Sequence, residues 1–233
     1  MLPVYKSGKK LEELNTKDLP ALSQETISSF VQVASASLIP KNINLYQHQQ
    51  VMLQKALAQE RKHCVVVTGT GSGKTEAFLL PVLASIIKEA KGNWKPPQAP
   101  NKTWGNSIKW DSSRKLLRKE TRTPAVRALL LYPMNALVED QISRLRSALD
   151  AKESLSAMDD ALEGNRIRFG RYNGSTPVSG HPFKSDGKAN TAKRSELTKK
   201  IMRAHSEYEE YKEQLKNANS ELKEANREGN KKK

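Results

Sequence analysis

The sequence predicts an α/β fold on a parallel sheet, followed by a long C-terminal helix that can enter a coiled coil. Three observations predict it. Short runs at Cys64–Val67, Ala128–Tyr132 and Arg166–Tyr172 have the length and residue types of strands. The first two are each followed by a stretch of helical periodicity, giving the strand–helix–strand–helix–strand order of a doubly wound sheet. Near the C-terminus the apolar positions change to a seven-residue repeat.

Residues 1–40 read as a mostly helical lead-in, because Ile27, Phe30, Val31, Ala34 and Leu38 keep helical spacing until Pro40. Residues 45–60 continue as a helix that buries Leu45, Met52, Leu53, Ala56 and Leu57. Cys64–Val67 is β-branched and apolar, so it reads as a strand buried on both faces. Glu76–Ala90 reads as an apolar helix that Pro81 should kink. After the strand Ala128–Tyr132, the helix Ala136–Leu149 turns Leu137, Ile142, Leu145 and Leu149 inward. Arg166–Tyr172 sets Ile167 and Phe169 against arginines, as in a strand with one wet face. Residues 41–183 thus form the main domain, and 184–233 a basic linker and a heptad-patterned helix.

That last helix carries Leu197, Ile201, Ala204, Tyr208, Tyr211, Leu215, Ala218, Leu222 and Ala225 in alternating steps of four and three. The pattern fits a coiled coil, whose small and aromatic members favour a mixed pairing that can be intramolecular, or equally an amphipathic helix lying on the core.

Charge and composition narrow the function. The formal net charge is +15, which points to a polyanionic partner such as DNA or RNA. Residues 88–127 alone hold eleven basic and three acidic residues. All three tryptophans, Trp94, Trp104 and Trp110, lie in this basic insert. They can stack on bases beside the cations, or they can anchor a long loop onto the domain. A single cysteine, Cys64, excludes an internal disulfide, and the four histidines lack metal-ligand spacing. No apolar run approaches the roughly 20 residues that span a bilayer, and no signal-peptide pattern opens the chain. The expected compartment is cytoplasmic.

The most specific motif is Thr68-Gly-Thr-Gly-Ser-Gly-Lys-Thr75, between a strand and a helix. That context marks a phosphate-binding P-loop. Its glycines let backbone N–H groups turn toward phosphates, and the following helix adds its positive dipole end. In this pattern Thr70, Gly71, Ser72 and Gly73 form the cradle. Lys74 reaches the β- and γ-phosphates, and the Thr75 hydroxyl binds Mg²⁺. Lys74 and Thr75 are therefore the candidate catalytic residues, with ATP and Mg²⁺ as the expected cofactors. Thr68 stands where the strict pattern has glycine.

Two further stretches resemble superfamily 2 DEAD/DEAH-box helicases. Leu45-Tyr46-Gln47-His48-Gln49 ends 25 residues before Lys74 and is similar to that family's adenine-reading glutamine element. By this resemblance Gln49 reads adenine, since an amide can both donate and accept. Leu131-Tyr-Pro-Met-Asn-Ala-Leu-Val-Glu-Asp-Gln141 resembles motif Ia, in the form found in the Lhr-like branch. The resemblance implies nucleic-acid contacts at Pro133, Met134 and Asn135. Met134 and Asn135 replace the usual threonine and basic residue, so one phosphate-contacting charge is absent. Gly170-Arg-Tyr-Asn-Gly-Ser-Thr-Pro177 is similar to the next strand and glycine turn, which adds Gly174 as a contact. Together these stretches look like large bacterial helicases, among them the helicase component of DISARM-type antiphage systems. The resemblance covers roughly residues 41–183 and implies part of a RecA-like ATP-binding domain.

A motor of this superfamily also needs an Asp-Glu pair for Mg²⁺ and water, and a second RecA-like domain. No Asp-Glu dipeptide occurs in these 233 residues; Glu139-Asp140 has the wrong order, and no buried strand precedes Asp159-Asp160. The expectation is the ATP-binding front portion of a helicase, with the remaining domains downstream. A non-catalytic fragment that binds nucleic acid or a partner is the alternative. Other P-loop enzymes fit less well: Asn101-Lys102-Thr103-Trp104 lacks a GTPase's aspartate, and no Ser-Gly-Gly-Gln signature is present.

Overall fold

The structure is a computed structural model that describes residues 5–58, 63–94, 125–173, 176, 183–188 and 190–231. Most of the basic insert, with Trp104 and Trp110, lies outside the described residues, as does Gly174. The chain divides into two compact units, one of 1–99 with 114–173 and one of 100–113 with 174–233.

The first unit begins with β1 (Ser7–Lys10), a 3₁₀ turn (Leu11–Glu13) and α1 (Gln24–Ser37). There follow β2 (Asn44–Tyr46), α2 (Gln47–Leu57), α3 (Lys74–Asn93), α4 (Asn135–Leu149) and α5 (Lys152–Ala161). The Ser23 side chain accepts from the Thr26 N–H at 3.2 Å and caps α1. α1 then buries Ile27, Phe30, Val33 and Ala34 in a core shared with Leu11, Leu19, Leu45, Leu53, Leu80, Ile87 and Met158. Fully burying such side chains contributes about 1.5–3 kcal/mol each. α1 packs on both α3 and α5. Buried Ser154 of α5 donates to the Ala36 carbonyl at 3.1 Å, satisfying one of the acceptors left over at the end of α1. No element is predicted for 152–161, yet α5 forms there. Its buried Ser154, Ala157, Met158 and Ala161 recur at helical spacing, with two small residues and a serine in place of an obvious apolar stripe.

α3 runs through Pro81 to Asn93, so it reaches past the predicted end at Ala90. Proline removes one backbone hydrogen bond at a cost of about 3 kcal/mol. Buried Leu80, Leu83, Ala84 and Ile87 on either side offset that cost.

The parallel sheet is the expectation the described residues do not meet. Their one sheet is the antiparallel pair β1–β2, with Ser7 opposite Tyr46 and Lys10 opposite Asn44. Residues 63–69, 125–132 and 165–172 form no strand ladder. Val65 and Val67 are 87% and 88% exposed, while Cys64 and Val66 are half-buried. Leu129 and Leu131 are likewise exposed beside half-buried Ala128 and Leu130. The reason is physical: a parallel strand is apolar on both sides because helices cover both faces of its sheet. The described helices cover one face. In the third segment Ile167 is buried and Phe169 half-buried, as the alternation predicts.

Arg166 forks onto Asp159, with Nε donating to Oδ1 at 2.8 Å and Nη2 to Oδ2 at 2.6 Å. Those hydrogen bonds hold the Asp159 carboxyl below its ordinary range, against a smaller opposing effect of burial. A lowered carboxyl stabilises the fold above the ordinary carboxylate range, and the contribution is lost as pH falls through the lower folded value. Both partners are 41% exposed, so about 0.5 kcal/mol is expected. Urea unfolding should show Asp159→Asn less stable than the parent at neutral pH, with the gap closing in acid below the ordinary carboxylate range. A gap that persists in acid would assign the effect to packing.

The second unit contributes α6 (Thr191–Lys231), a single helix of 41 residues. Pairs such as Arg203–Glu207 at 2.9 Å and Lys200–Glu196 at 3.0 Å lie one turn apart along it. Leu197 and Ile201 at the start of the heptad seam are half-buried, whereas Tyr208, Tyr211, Leu215 and Leu222 further along it are all exposed.

Candidate nucleotide-binding site

The phosphate loop leaves the extended segment 63–69 and enters α3 at Lys74. Gly71 and Gly73 take the left-handed backbone, at φ +74° and +70°, which glycine adopts at no steric cost. At such a helix start the first N–H groups have no intrahelical acceptor and face outward for an anion. A Cβ built on Gly71 meets nothing within 4 Å, so the crown of the loop opens onto free space.

Beneath the loop, Ser72 is 1% exposed and its hydroxyl bonds the Thr68 hydroxyl at 2.6 Å. This gives Thr68 a reason to replace glycine: its side chain ties the two ends of the turn together. Ser72 contributes backbone to the cradle, and its side chain is taken up by Thr68. The Lys74 ammonium donates to the carbonyls of Thr68, at 3.0 Å, and Gly69. Thr75 is the second residue of α3 and is half-buried.

Gln49 reaches the same loop. It is 4% exposed; its amide nitrogen donates to the Gly73 carbonyl at 3.0 Å, and its amide oxygen accepts from the Tyr46 N–H at 2.8 Å. One amide N–H and one lone pair remain for a ligand. The neighbouring His48 ring nitrogen lies 2.9 Å from the Ser72 carbonyl. Pairing of β1 with β2, and the Gln47 N–H donating to the Lys6 carbonyl at 2.8 Å, hold this corner against the loop. Tyr5, Tyr46 and His48 cluster there with ring centroids 5.5–5.7 Å apart. Tyr46 and His48 were legible in the glutamine element. Tyr5 gave no sequence signal.

Glu76, in the first turn of α3, pairs with Arg144 of α4 and so connects the loop's helix to the helix after the motif Ia stretch. Pro133, Met134 and Asn135 are exposed at the start of α4, with Met134 as its N-cap residue. Just before them, Tyr132 buries its hydroxyl without a hydrogen-bond partner. Burial raises the Tyr132 phenol above its ordinary pKa, Arg144 opposes that, and Asp140 adds to it. Arg171 pairs with Glu139, so the third extended segment is tied to α4. At the near end of the insert, Trp94 packs on the core and donates to Glu89 at 3.2 Å. Arg127, from the far end, binds Glu89 at 2.8 Å and lies 5.6 Å from the Trp94 ring centre. Trp94 is thus an anchor, and it brings the two ends of the insert together.

A phosphate cradle joined to a glutamine element and a motif Ia turn is the arrangement of one large family. The DEAD/DEAH box helicase family model matches residues 46–172. The chain belongs to the DEAD/DEAH box helicases. It is also 31% identical over 185 residues to the Druantia protein DruE of Escherichia coli (strain UMEA 4076-1). That alignment covers 76% of this chain and 8% of DruE, so the chain spans a small part of that relative's length. No solved structure matches. Membership in the helicase family carries with it a RecA-like α/β fold. Among the described residues no helix is long and apolar enough to cross a membrane.

Proposed function

We propose that this chain is the ATP-binding portion of an ATP-dependent helicase or translocase acting on DNA or RNA, and that alone it binds ATP with little turnover. The observation that carries the reading is the loop itself. Two left-handed glycines, an open crown and an ammonium resting on the loop's own carbonyls form a site that a polyphosphate completes. Phosphate oxygens bind an ammonium more strongly than neutral carbonyls do, so Lys74 transfers to the ligand without rebuilding the loop. The residues fit Mg²⁺–ATP: Gly71 and Gly73 orient backbone donors, Lys74 meets the β- and γ-phosphates, and Thr75 offers its hydroxyl to the metal. The metal, when bound, neutralises charge developing on the phosphates.

Gln49 braces the loop through Gly73 and, in this reading, uses its remaining donor and acceptor on adenine. The Gln49→Ala variant should therefore weaken ATP binding about tenfold and narrow the preference for ATP over GTP. A role in bracing alone predicts equal losses for the two nucleotides in a competition titration.

Pro133, Met134, Asn135 and Gly174 are proposed to meet the nucleic-acid backbone. Met134 is 61% exposed, and together these residues supply neutral contacts. Kinship with Lhr-like and DISARM-type helicases rests on the wording of residues 131–141 and 170–177. Low turnover follows from the missing Asp-Glu pair: Glu139 is engaged with Arg171, and Asp159 with Arg166. Phosphate release by the purified chain, with and without DNA or RNA, tests this directly. The expected result is nucleotide binding with release at background level. Robust release abolished by Lys74→Ala would overturn the non-catalytic part and leave the binding part standing.

A further inference from the structure

α6 carries an apolar seam that the ATP site does not use, half-buried at Leu197 and Ile201 and exposed from Ala204 to Leu222. Its positions divide into two sets, Ile201, Tyr208, Leu215 and Leu222 at one heptad register and Leu197, Ala204, Tyr211 and Ala218 at the other. Tyr208, Tyr211, Leu215 and Leu222 are 61–69% exposed, about as open as side chains on an isolated helix. A polar helix could be expected to stand alone, but four large apolar side chains in one line are costly to leave in water.

We infer that this seam is a self-association surface that pairs with α6 of a second copy of the chain, antiparallel, with the two-fold axis beside Glu209 and Glu210. Side-chain volumes select both partner and direction. Aligned antiparallel about that axis, Ile201 faces Ala218 of the second copy and Leu215 faces its Ala204. Tyr208 faces Tyr211, and Leu222 faces Leu197. No layer then pairs two alanines, so every layer keeps at least one large side chain to fill the space between the helices. A parallel in-register pair would instead stack Ala204 on Ala204 and Ala218 on Ala218. Such thin layers leave voids. Flanking charges agree: the antiparallel pair brings Lys200 beside Glu221 of the second copy on both sides and opposes no two carboxylates. The two helix dipoles also oppose each other in this arrangement.

The test uses the full chain in a Cys64→Ser background. Light scattering behind size exclusion should give a mass twice 26.1 kDa in the micromolar range. Leu215→Glu and Tyr211→Glu should return it to a monomer while helical circular dichroism is kept, since glutamate is a good helix former. Mixing Leu197→Cys with Leu222→Cys under oxidation should yield the mixed disulfide, and Leu197→Cys alone should yield none. A monomer throughout, or a dimer indifferent to both seam substitutions, overturns the inference. A Leu197→Cys homodimer overturns the antiparallel arrangement.

Discussion

Lys74→Ala should cost the chain at least about a hundredfold in ATP affinity. The side chain is exposed and supplies no core contact, so its removal leaves the fold intact; alanine is also the best helix former at the start of α3. What disappears is the cation. Hydrogen bonds to a charged group contribute about 1.5–3 kcal/mol each, and the ammonium makes at least two to the phosphates in the expected bound state. The two carbonyl contacts given up on binding return part of this, leaving about 3 kcal/mol. Titration with a fluorescent ATP analogue measures the loss. The thermal shift produced by ATP should vanish with it, because ligand stabilisation follows mass action. Lys74→Arg should sit between, retaining charge but replacing a compact ammonium with a planar fork. Affinity held within twofold in Lys74→Ala would sink the assignment of this loop.

How far the site was legible depended on whether its residues act locally. The phosphate loop was readable because its backbone requirements lie within eight residues: Gly71 and Gly73 are glycine because φ is positive there. Gln49 was readable through its motif, but its contact with the Gly73 carbonyl was not, since that contact depends on β1 closing against β2. β1 itself escaped notice because Ser7–Lys10 carries no apolar alternation; it is held by backbone pairing and by Gln50 accepting from the Lys9 N–H at 3.0 Å. Arg144 was hidden for a related reason. On its own helix it is one more exposed cation, and only the packing of α4 brings it to Glu76. The parallel sheet is not seen among the described residues, for the opposite cause. Apolar content at 64–67 and 128–132 reports what a strand is suited to touch, and the helices described cover only half of that surface.

Gly73→Ala should be the most damaging single-atom addition in the loop, and it separates bracing by Gln49 from backbone conformation. A residue with a Cβ at φ +70° costs about 1–2 kcal/mol for the left-handed backbone alone. The new carbon would also stand 2.3 Å from the Gln49 amide nitrogen. Gln49 is buried and held at both ends, by the Tyr46 N–H and the Gly73 carbonyl, so moving it breaks two hydrogen bonds worth about 1 kcal/mol each. The expected loss of stability is about 3–4 kcal/mol. Gly71→Ala has almost the same φ, +74°, but nothing within 4 Å of the added carbon, so it should lose only the backbone cost. The difference between the two variants, about 2 kcal/mol by urea unfolding, is thus a measure of the brace. A double-mutant cycle isolates it further. Adding Gly73→Ala to Gln49→Ala should cost only the backbone contribution, because the atom it collides with has gone. Equal losses at Gly71 and Gly73, or strict additivity in the cycle, would mean that Gln49 does not hold the loop. The ATP site would then owe its shape to the eight residues of the P-loop alone.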